Sequence, residues 1–269
     1  MLSKRRLYSS HDLSVDDVRC AAGISRWSPP EDTSTCAIVF VRRGCFQRQV
    51  DGHEVLVDPS VVYFERPGEE QRIRHPVEGG DACTVLTISA EVLRSIRALD
   101  MPLPAGSVRS SAPADLSHRR LLAGCLRDED EAAEEHVIRL ASMILASAEY
   151  RESSARPLTD AARRRLVDDA RAVLSEDLTL GLVEVARRIA TSPHHLSRVF
   201  GWCTGESFSR YRTRLRVSLA LERLQAGERN LADVAASTGF SDHAHLTRTL
   251  RRELGDSPSH LRILLSISA

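Results

Sequence analysis

The chain has 269 residues, 42% of them hydrophobic and 28% charged, values ordinary for a globular protein with room for two domains. No stretch approaches the roughly 18 continuous apolar residues of a membrane span, and the basic start, Met1 to Tyr8, lacks the apolar core of a secretion signal, so a cytoplasmic protein is expected. The formal net charge of 0 divides unevenly: residues 1–156 carry 20 Lys and Arg against 24 Asp and Glu, residues 157–269 carry 17 against 13, and only the second half suits a polyanion.

From Thr35 to Ile88 the apolar residues come in short β-branched and aromatic runs bounded by turn residues. Cys36–Val41 is one run. Phe46–Val57 is interrupted by Asp51-Gly52, the pair that a two-residue hairpin turn requires. Val61–Phe64 follows Asp58-Pro59-Ser60. Gln71–His75 and Cys83–Ile88 flank a turn at Glu78-Gly79-Gly80-Asp81. About six short strands at this spacing predict a small antiparallel barrel or sandwich over 35–88.

Two helices follow, about Ser117–Leu126 and Glu129–Arg151. The second carries Ala133, Val137, Leu140, Ile144 and Ala148 at three- and four-residue steps. This hairpin either packs on the barrel or pairs with a second subunit. The polar stretch Glu152–Pro157 reads as a linker, placing a front domain at 1–151, a linker at 152–158 and a second domain at 159–269.

The second domain reads as all helix, with a repeated grammar. Leu182, Val185, Ala186 and Ile189 line a short helix; Thr191-Ser192-Pro193 breaks it, with Ser192 as N-cap and Pro193 first in a helix burying Leu196, Val199 and Phe200. Gly205 ends that unit. Some 49–50 residues on, Asn230 caps a helix with Leu231, Val234 and Ala235. Gly239-Phe240 turns the chain, Ser241 is read as the next cap, Leu246 and Leu250 point inward, and Gly255 closes the unit. Ala186 corresponds to Ala235, Leu196 to Leu246, Ser197-Arg198 to Thr247-Arg248. One long helix, about Ser207–Gln225, joins the two. If both second helices face the same way, they enter successive major grooves, roughly 34 Å apart.

Through Leu182-x-x-Val185-Ala186, Ser192-x-x-x-Leu196-Ser197-Arg198-x-Phe200, Gly205-x-Ser207-Phe208-x-x-Tyr211, Arg216-x-x-x-Ala220, Val234-Ala235-x-x-x-Gly239-Phe240-Ser241-Asp242 and Gly255-x-Ser257-Pro258, residues 160–265 resemble the AraC/XylS family of bacterial transcription regulators. The resemblance implies that the second helix of each unit reads the major groove and that the upstream domain senses a ligand or drives dimerisation. The implied fold is α+β: an N-terminal cupin-like antiparallel β-barrel with a helical hairpin, then an all-α domain of two helix-turn-helix units joined by a long helix. Aromatic residues are usual in that family at the positions of Leu246 and Leu250, so looser packing is expected in the second unit. Implied partners are double-stranded DNA, a small-molecule effector and a second copy of the chain, with RNA polymerase a further candidate; no cofactor is implied.

The candidate DNA-contacting residues are Ser192, His194, His195, Ser197 and Arg198 on the first reading helix, and His243, Ala244, His245, Thr247, Arg248 and Arg251 on the second. Arginine forks onto guanine O6 and N7; serine, threonine and histidine suit phosphates or single base edges. In the barrel, Phe40, Phe46, Tyr63, Phe64 and His75 are candidates for a ligand pocket or simply for the core. The six cysteines (Cys20, Cys36, Cys45, Cys83, Cys125, Cys203) include no CxxC pair and read as free thiols. His75 and Cys83 sit opposite each other if the chain forms a hairpin at Gly79, and with Cys36 or Cys45 they are a speculative soft-metal or redox site. A cupin enzyme with a DNA-binding appendage is the rival of another class. Such an enzyme needs clustered histidines with a carboxylate, and the barrel segment offers only His53 and His75. A front half serving only for dimerisation or partner contact is the remaining alternative.

Overall fold

The computed structural model describes residues 2–97, 103–127, 129–152 and 161–266. Its strands all fall before residue 110, and helices alone follow, an α+β arrangement. A six-stranded antiparallel sheet has the order β1 (Leu2–Ser9), β2 (Leu13–Cys20), β9 (Asp81–Ile88), β4 (Ala37–Gly44), β7 (Val61–Glu65), β10 (Ser107–Arg109). A four-stranded sheet has the order β3 (Glu31–Asp32), β8 (Glu70–Arg74), β5 (Phe46–Val50), β6 (His53–Val57).

Alternation along each strand divides the apolar residues between two cores. Ala37, Val39, Val41, Phe46, Val57, Tyr63 and Cys83 fill the space between the sheets. Ile38, Phe40, Val62, Phe64, Leu86 and Ile88 point the other way, against α2 (Ala112–Leu126) and α3 (Asp130–Glu152). The helical hairpin therefore covers the outer face of the six-stranded sheet, the first of the two alternatives its stripe left open. Asp51 and Gly52 have φ of 50° and 77°, the pair of positive values that a type I′ turn between β5 and β6 needs.

Four strands escape sequence reading: β1, β2, β3 and β10, together with α1 (Ala90–Arg97). β1 is an exposed basic edge, Leu2-Ser3-Lys4-Arg5-Arg6, without apolar alternation. β2 buries Asp16 at an inward position, where Lys4 and Arg6 neutralise it. A buried carboxylate paired across strands looks, in sequence, like a loop residue.

The second domain comprises α4 (Ala161–Glu176), α5 (Leu182–Arg188), α6 (Pro193–Thr204), α7 (Phe208–Gln225), α8 (Leu231–Ser237), α9 (His243–Leu254) and α10 (Pro258–Leu265). α4, α5, α6 and the start of α7 share one core; the end of α7, α8, α9 and α10 share another. Leu246 and Leu250, where looser packing is expected, are both 0% exposed and share a core with Phe240, Leu261 and Leu265. Apart from Glu152, the last residue of α3, the linker expected at 152–158 lies outside the described residues.

Candidate nucleic-acid interface

Each of the two units is a short helix, a turn through a left-handed residue, and a longer helix. In the first, α5 is followed by Ala190 at φ 53°, and Ser192 caps α6 by accepting a hydrogen bond from the His195 N–H at 3.1 Å. In the second, α8 is followed by Gly239 at φ 79°, and the cap of α9 is Asp242, which accepts from the His245 N–H at 2.7 Å. Ser241 stands one residue before the cap, so its assignment as N-cap is corrected. The second turn holds one extra residue, and the repeat is 49 before the turn and 50 after it. From the caps onward, the two units run in register. Gly205 and Gly255 end α6 and α9 in the left-handed conformation, at φ 70° and 80°.

Counted from the caps, Arg198 and Arg248 are equivalent, as are His195 and His245. Ser192, His194, His195, Ser197, Arg198, His243, Arg248 and Arg251 are exposed. Arg198, Arg248 and Arg251 have no carboxylate within salt-bridge distance among the described residues, unlike Arg187 and Arg188, which share Glu184 on α5. Ala244, His245 and Thr247 are partly buried. His245 packs edge-on against Phe240, ring centroids 5.3 Å apart, and its Nδ1 is 3.1 Å from the Ser241 hydroxyl. The Thr247 hydroxyl donates to the His243 carbonyl at 2.8 Å. Both are engaged in holding α9.

α7 sets the distance between the units. Arg216, midway along it, donates two hydrogen bonds to the Leu178 carbonyl ahead of α5, at 3.0 and 2.7 Å. Burial, together with the neighbouring positive charge of Arg212, lowers the Arg216 guanidinium to about 10. Gly239 sits directly over this guanidinium: a Cβ there would lie 3.0 Å from Arg216 Nε. One side chain thus touches the approach to the first unit and the turn of the second.

The front domain holds both units. Asp58, between β6 and β7, accepts hydrogen bonds from Arg171 of α4 at 2.9 Å and from the Tyr211 hydroxyl of α7, and its other oxygen takes the Ser60 N–H at 2.8 Å. Burial alone would raise the Asp58 carboxyl; the Arg171 guanidinium and these hydrogen bonds outweigh it and hold it below the usual carboxylate range. Burial pushes the Tyr211 phenol up. Arg214 donates to the Ser60 and Ser110 carbonyls at 2.7 and 2.8 Å. Cys45 meets Ser175 of α4 at 3.1 Å, and burial raises its thiol to about 11. On the other unit, α2 packs along α7, α9 and α10, with the wholly buried Arg119 donating to Ser218 at 3.1 Å. Tyr211 belongs to the helix-turn-helix pattern already quoted, but nothing local in the sequence pairs these groups: their partners across the domains lie about 100 residues or more away.

The five barrel candidates do not share a pocket. Phe46, Tyr63 and His75 are between the sheets, Phe46 lying 6.1 Å from the Tyr63 ring and 6.2 Å from His75. Phe40 and Phe64 occupy the opposite face, where Phe40 stacks on His118 at 4.4 Å. The reason is strand alternation: neighbours such as Tyr63 and Phe64 must point apart. The proposed pairing of His75 with Cys83 across a hairpin is also corrected. β8 and β9 belong to different sheets, and the chain crosses between them at 75–81. His75 and Cys83 nonetheless approach the same carboxylate: His75 Nε2 is 2.6 Å from Asp81 Oδ2, and the Cys83 thiol donates to Asp81 Oδ1 at 3.3 Å. Cys36 and Cys45 lie elsewhere, and Cys20 is the cysteine that joins the group.

Among the described residues, no helix is long and apolar enough to cross a membrane. A family described as "Helix-turn-helix domain" matches residues 185–263. The HTH-type transcriptional regulator Rv1931c of Mycobacterium tuberculosis is 35% identical over 79 residues, 29% of this chain and 30% of that protein. The HTH-type transcriptional activator RhaS of Escherichia coli is 36% identical over 78 residues, 29% of this chain and 28% of its own length. The matched segment thus spans less than a third of these relatives. Among solved structures, ToxT of Vibrio cholerae with a bound unsaturated fatty acid is similar at 12% identity, covering 96% of this chain and 97% of that one with a TM-score of 0.43.

Proposed function

We propose that this chain, whose C-terminal domain is a helix-turn-helix domain of the AraC type, is a sequence-specific DNA-binding transcription regulator working in the cytoplasm by binding rather than catalysis. The observation that carries the reading is the equivalence of Arg198 and Arg248: each lies six residues past its cap, exposed and without a salt-bridge carboxylate among the described residues, on the second helix of a helix-turn-helix unit. α6 and α9 enter two major grooves. Arg198, Arg248 and Arg251 supply base or phosphate contacts, with Ser192, His194, His195, Ser197 and His243 beside them. Ala244, His245 and Thr247 support α9 more than they reach DNA.

The front domain, 1–151, is the sensing and dimerising part, and a small-molecule effector is its input. A cleft of about 440 Å³ bordered by Arg42, Arg43, Asp58, Ser175 and Arg223 lies where one molecule would touch both domains. A second copy of the chain and RNA polymerase are the further partners of this reading. The test begins with duplexes selected from a random library by the full-length protein. Arg248→Ala and Arg198→Ala should each weaken binding to the selected duplex by roughly 1–3 kcal/mol in an anisotropy titration, with little change on a scrambled duplex. Equal affinity for both duplexes in the wild-type protein would refute the reading.

A further inference from the structure

We propose that Cys20, His75 and Asp81 form a binding site for a zinc-type divalent cation at one end of the front domain. One ligand atom from each of the three lies within 4.8 Å of the others, a spacing that a single ion can span. The donors come from three separate places: Cys20 ends β2, Asp81 begins β9, and His75 follows β8 in the opposite sheet.

Their convergence is built into the backbone. Asp81 pairs with Cys20 on one side and with Gly44 on the other. Gly80, at φ 64°, packs so closely on β2 that a Cβ would lie 1.9 Å from the Cys20 carbonyl. Gly44, at φ 76°, leaves only 2.0 Å between its own missing Cβ and the Gly80 carbonyl. Any side chain at either position would force the strands apart and separate Cys20 from Asp81. The histidine is fixed as well: Ser25 Oγ accepts from the His75 N–H at 2.9 Å, and the Ser25 N–H donates to the His75 carbonyl at 3.1 Å.

The donor set selects the ion. One thiolate, one imidazole and one carboxylate suit a borderline cation such as zinc, and disfavour calcium and magnesium, which take oxygen ligands. Three protein ligands leave the fourth tetrahedral position to water. Cys83 donates to Asp81 Oδ1 at 3.3 Å and so orients the carboxylate from behind, as outer-shell groups do. It is a positioning residue, not a ligand. Cys20 and Asp81 are partly accessible, which gives the ion a way in, whereas His75 is buried.

Cobalt(II) and zinc added to the purified full-length protein, freed of metal by a chelator, test the assignment. One equivalent of cobalt should bind with a thiolate-to-metal charge-transfer band, and zinc should displace it and protect Cys20 from alkylation. Cys20→Ser should abolish the band, and His75→Ala should weaken zinc binding at least ~10-fold. Cys83→Ser should keep the band. Circular dichroism of each variant separates loss of ligand from loss of fold. Should His75→Ala fail to fold, mass-spectrometric mapping of the zinc-protected thiol in the wild-type protein still decides. No cobalt uptake, a band surviving in Cys20→Ser, or protection of another cysteine instead of Cys20 would overturn the assignment.

Discussion

At the scale of single residues, sequence position alone treats His245 and Arg248 alike, since both lie on α9. Their surroundings separate them. His245 is held by Phe240 and Ser241, while Arg248 is exposed, with no carboxylate at salt-bridge distance among the described residues. The same reasoning isolates Asp168 of α4, a carboxylate beside Arg171 at 3.5 Å. Burial pushes it up to about 6; Arg171 opposes the rise, and the negative charges of Asp58 and Asp169 add to it. In the unfolded chain the group titrates near ~3.9. The folded protein therefore holds the Asp168 proton more tightly, and this residue's contribution to stability falls as pH rises from about 4 to about 6, then stays level. Asp168→Asn removes the half-buried charge. It should stabilise the protein by about 1–3 kcal/mol at pH 7 and by nothing below about pH 4. Urea unfolding at the two pH values measures the difference, and an equal effect at both would mean that burial does not govern this carboxylate.

At the scale of elements, two glycines with nearly the same backbone angle do different work. Gly239 and Gly255 have φ of 79° and 80°. Around Gly255 nothing lies within 4 Å of an added Cβ; above Gly239 stand Arg216 Nε at 3.0 Å and the Leu178 carbonyl at 3.1 Å. Gly255→Ala should therefore cost only the left-handed backbone penalty, about 1–2 kcal/mol. Gly239→Ala should cost distinctly more, because Arg216 must move and its bonds to Leu178 loosen. Thermal unfolding of both variants compares them directly, and equal losses would remove Arg216 from the account of how the units are spaced. These glycines also mark what sequence can and cannot convey. Caps, turns and apolar faces are local, so Ser192-Pro193, Asn230, Gly205 and the Asp51-Gly52 hairpin were legible. The one-residue slip at Ser241 arose because Ser241 and Asp242 are both good caps, and only the backbone chooses between them. Strands β1 and β2 stayed hidden because their inward charge, Asp16, is neutralised by Lys4 and Arg6 across the sheet. His75 was singled out with Cys83, but its neighbours Cys20 and Asp81 stayed hidden for a related reason: a crossing between two sheets brings the three together, and no spacing encodes it.

At the scale of the whole molecule, the front domain grips both helix-turn-helix units: the first through polar groups, the second also through α2, whose Leu116 packs against that unit's apolar core. Asp58, Arg171 and Tyr211 form one of the buried contacts, joining the β6–β7 turn to α4 and α7. A buried ion pair contributes little net stability when intact, but removing one partner leaves the other charge stranded, typically at ~3–5 kcal/mol. That cost falls on the docked arrangement. Each domain keeps its own apolar core, so Arg171 can regain water if the domains part. Such a contact suits the proposed regulator, in which a modest input at the junction would change the posture of α6 and α9 without unfolding either side. The pH dependence follows from the lowered carboxyl of Asp58: its contribution is complete above the ordinary carboxylate range, near ~4, and is lost only as pH falls below it. Neutral pH changes therefore do not operate this contact. Asp58→Asn should convert a single calorimetric unfolding transition at pH 7 into two, with the helical domain retaining its own melting and its affinity for duplex DNA. One unchanged cooperative transition in the variant would mean that the domains are coupled elsewhere, through α2 against α7 and α9 or through Arg214 and its bonds to the Ser60 and Ser110 carbonyls.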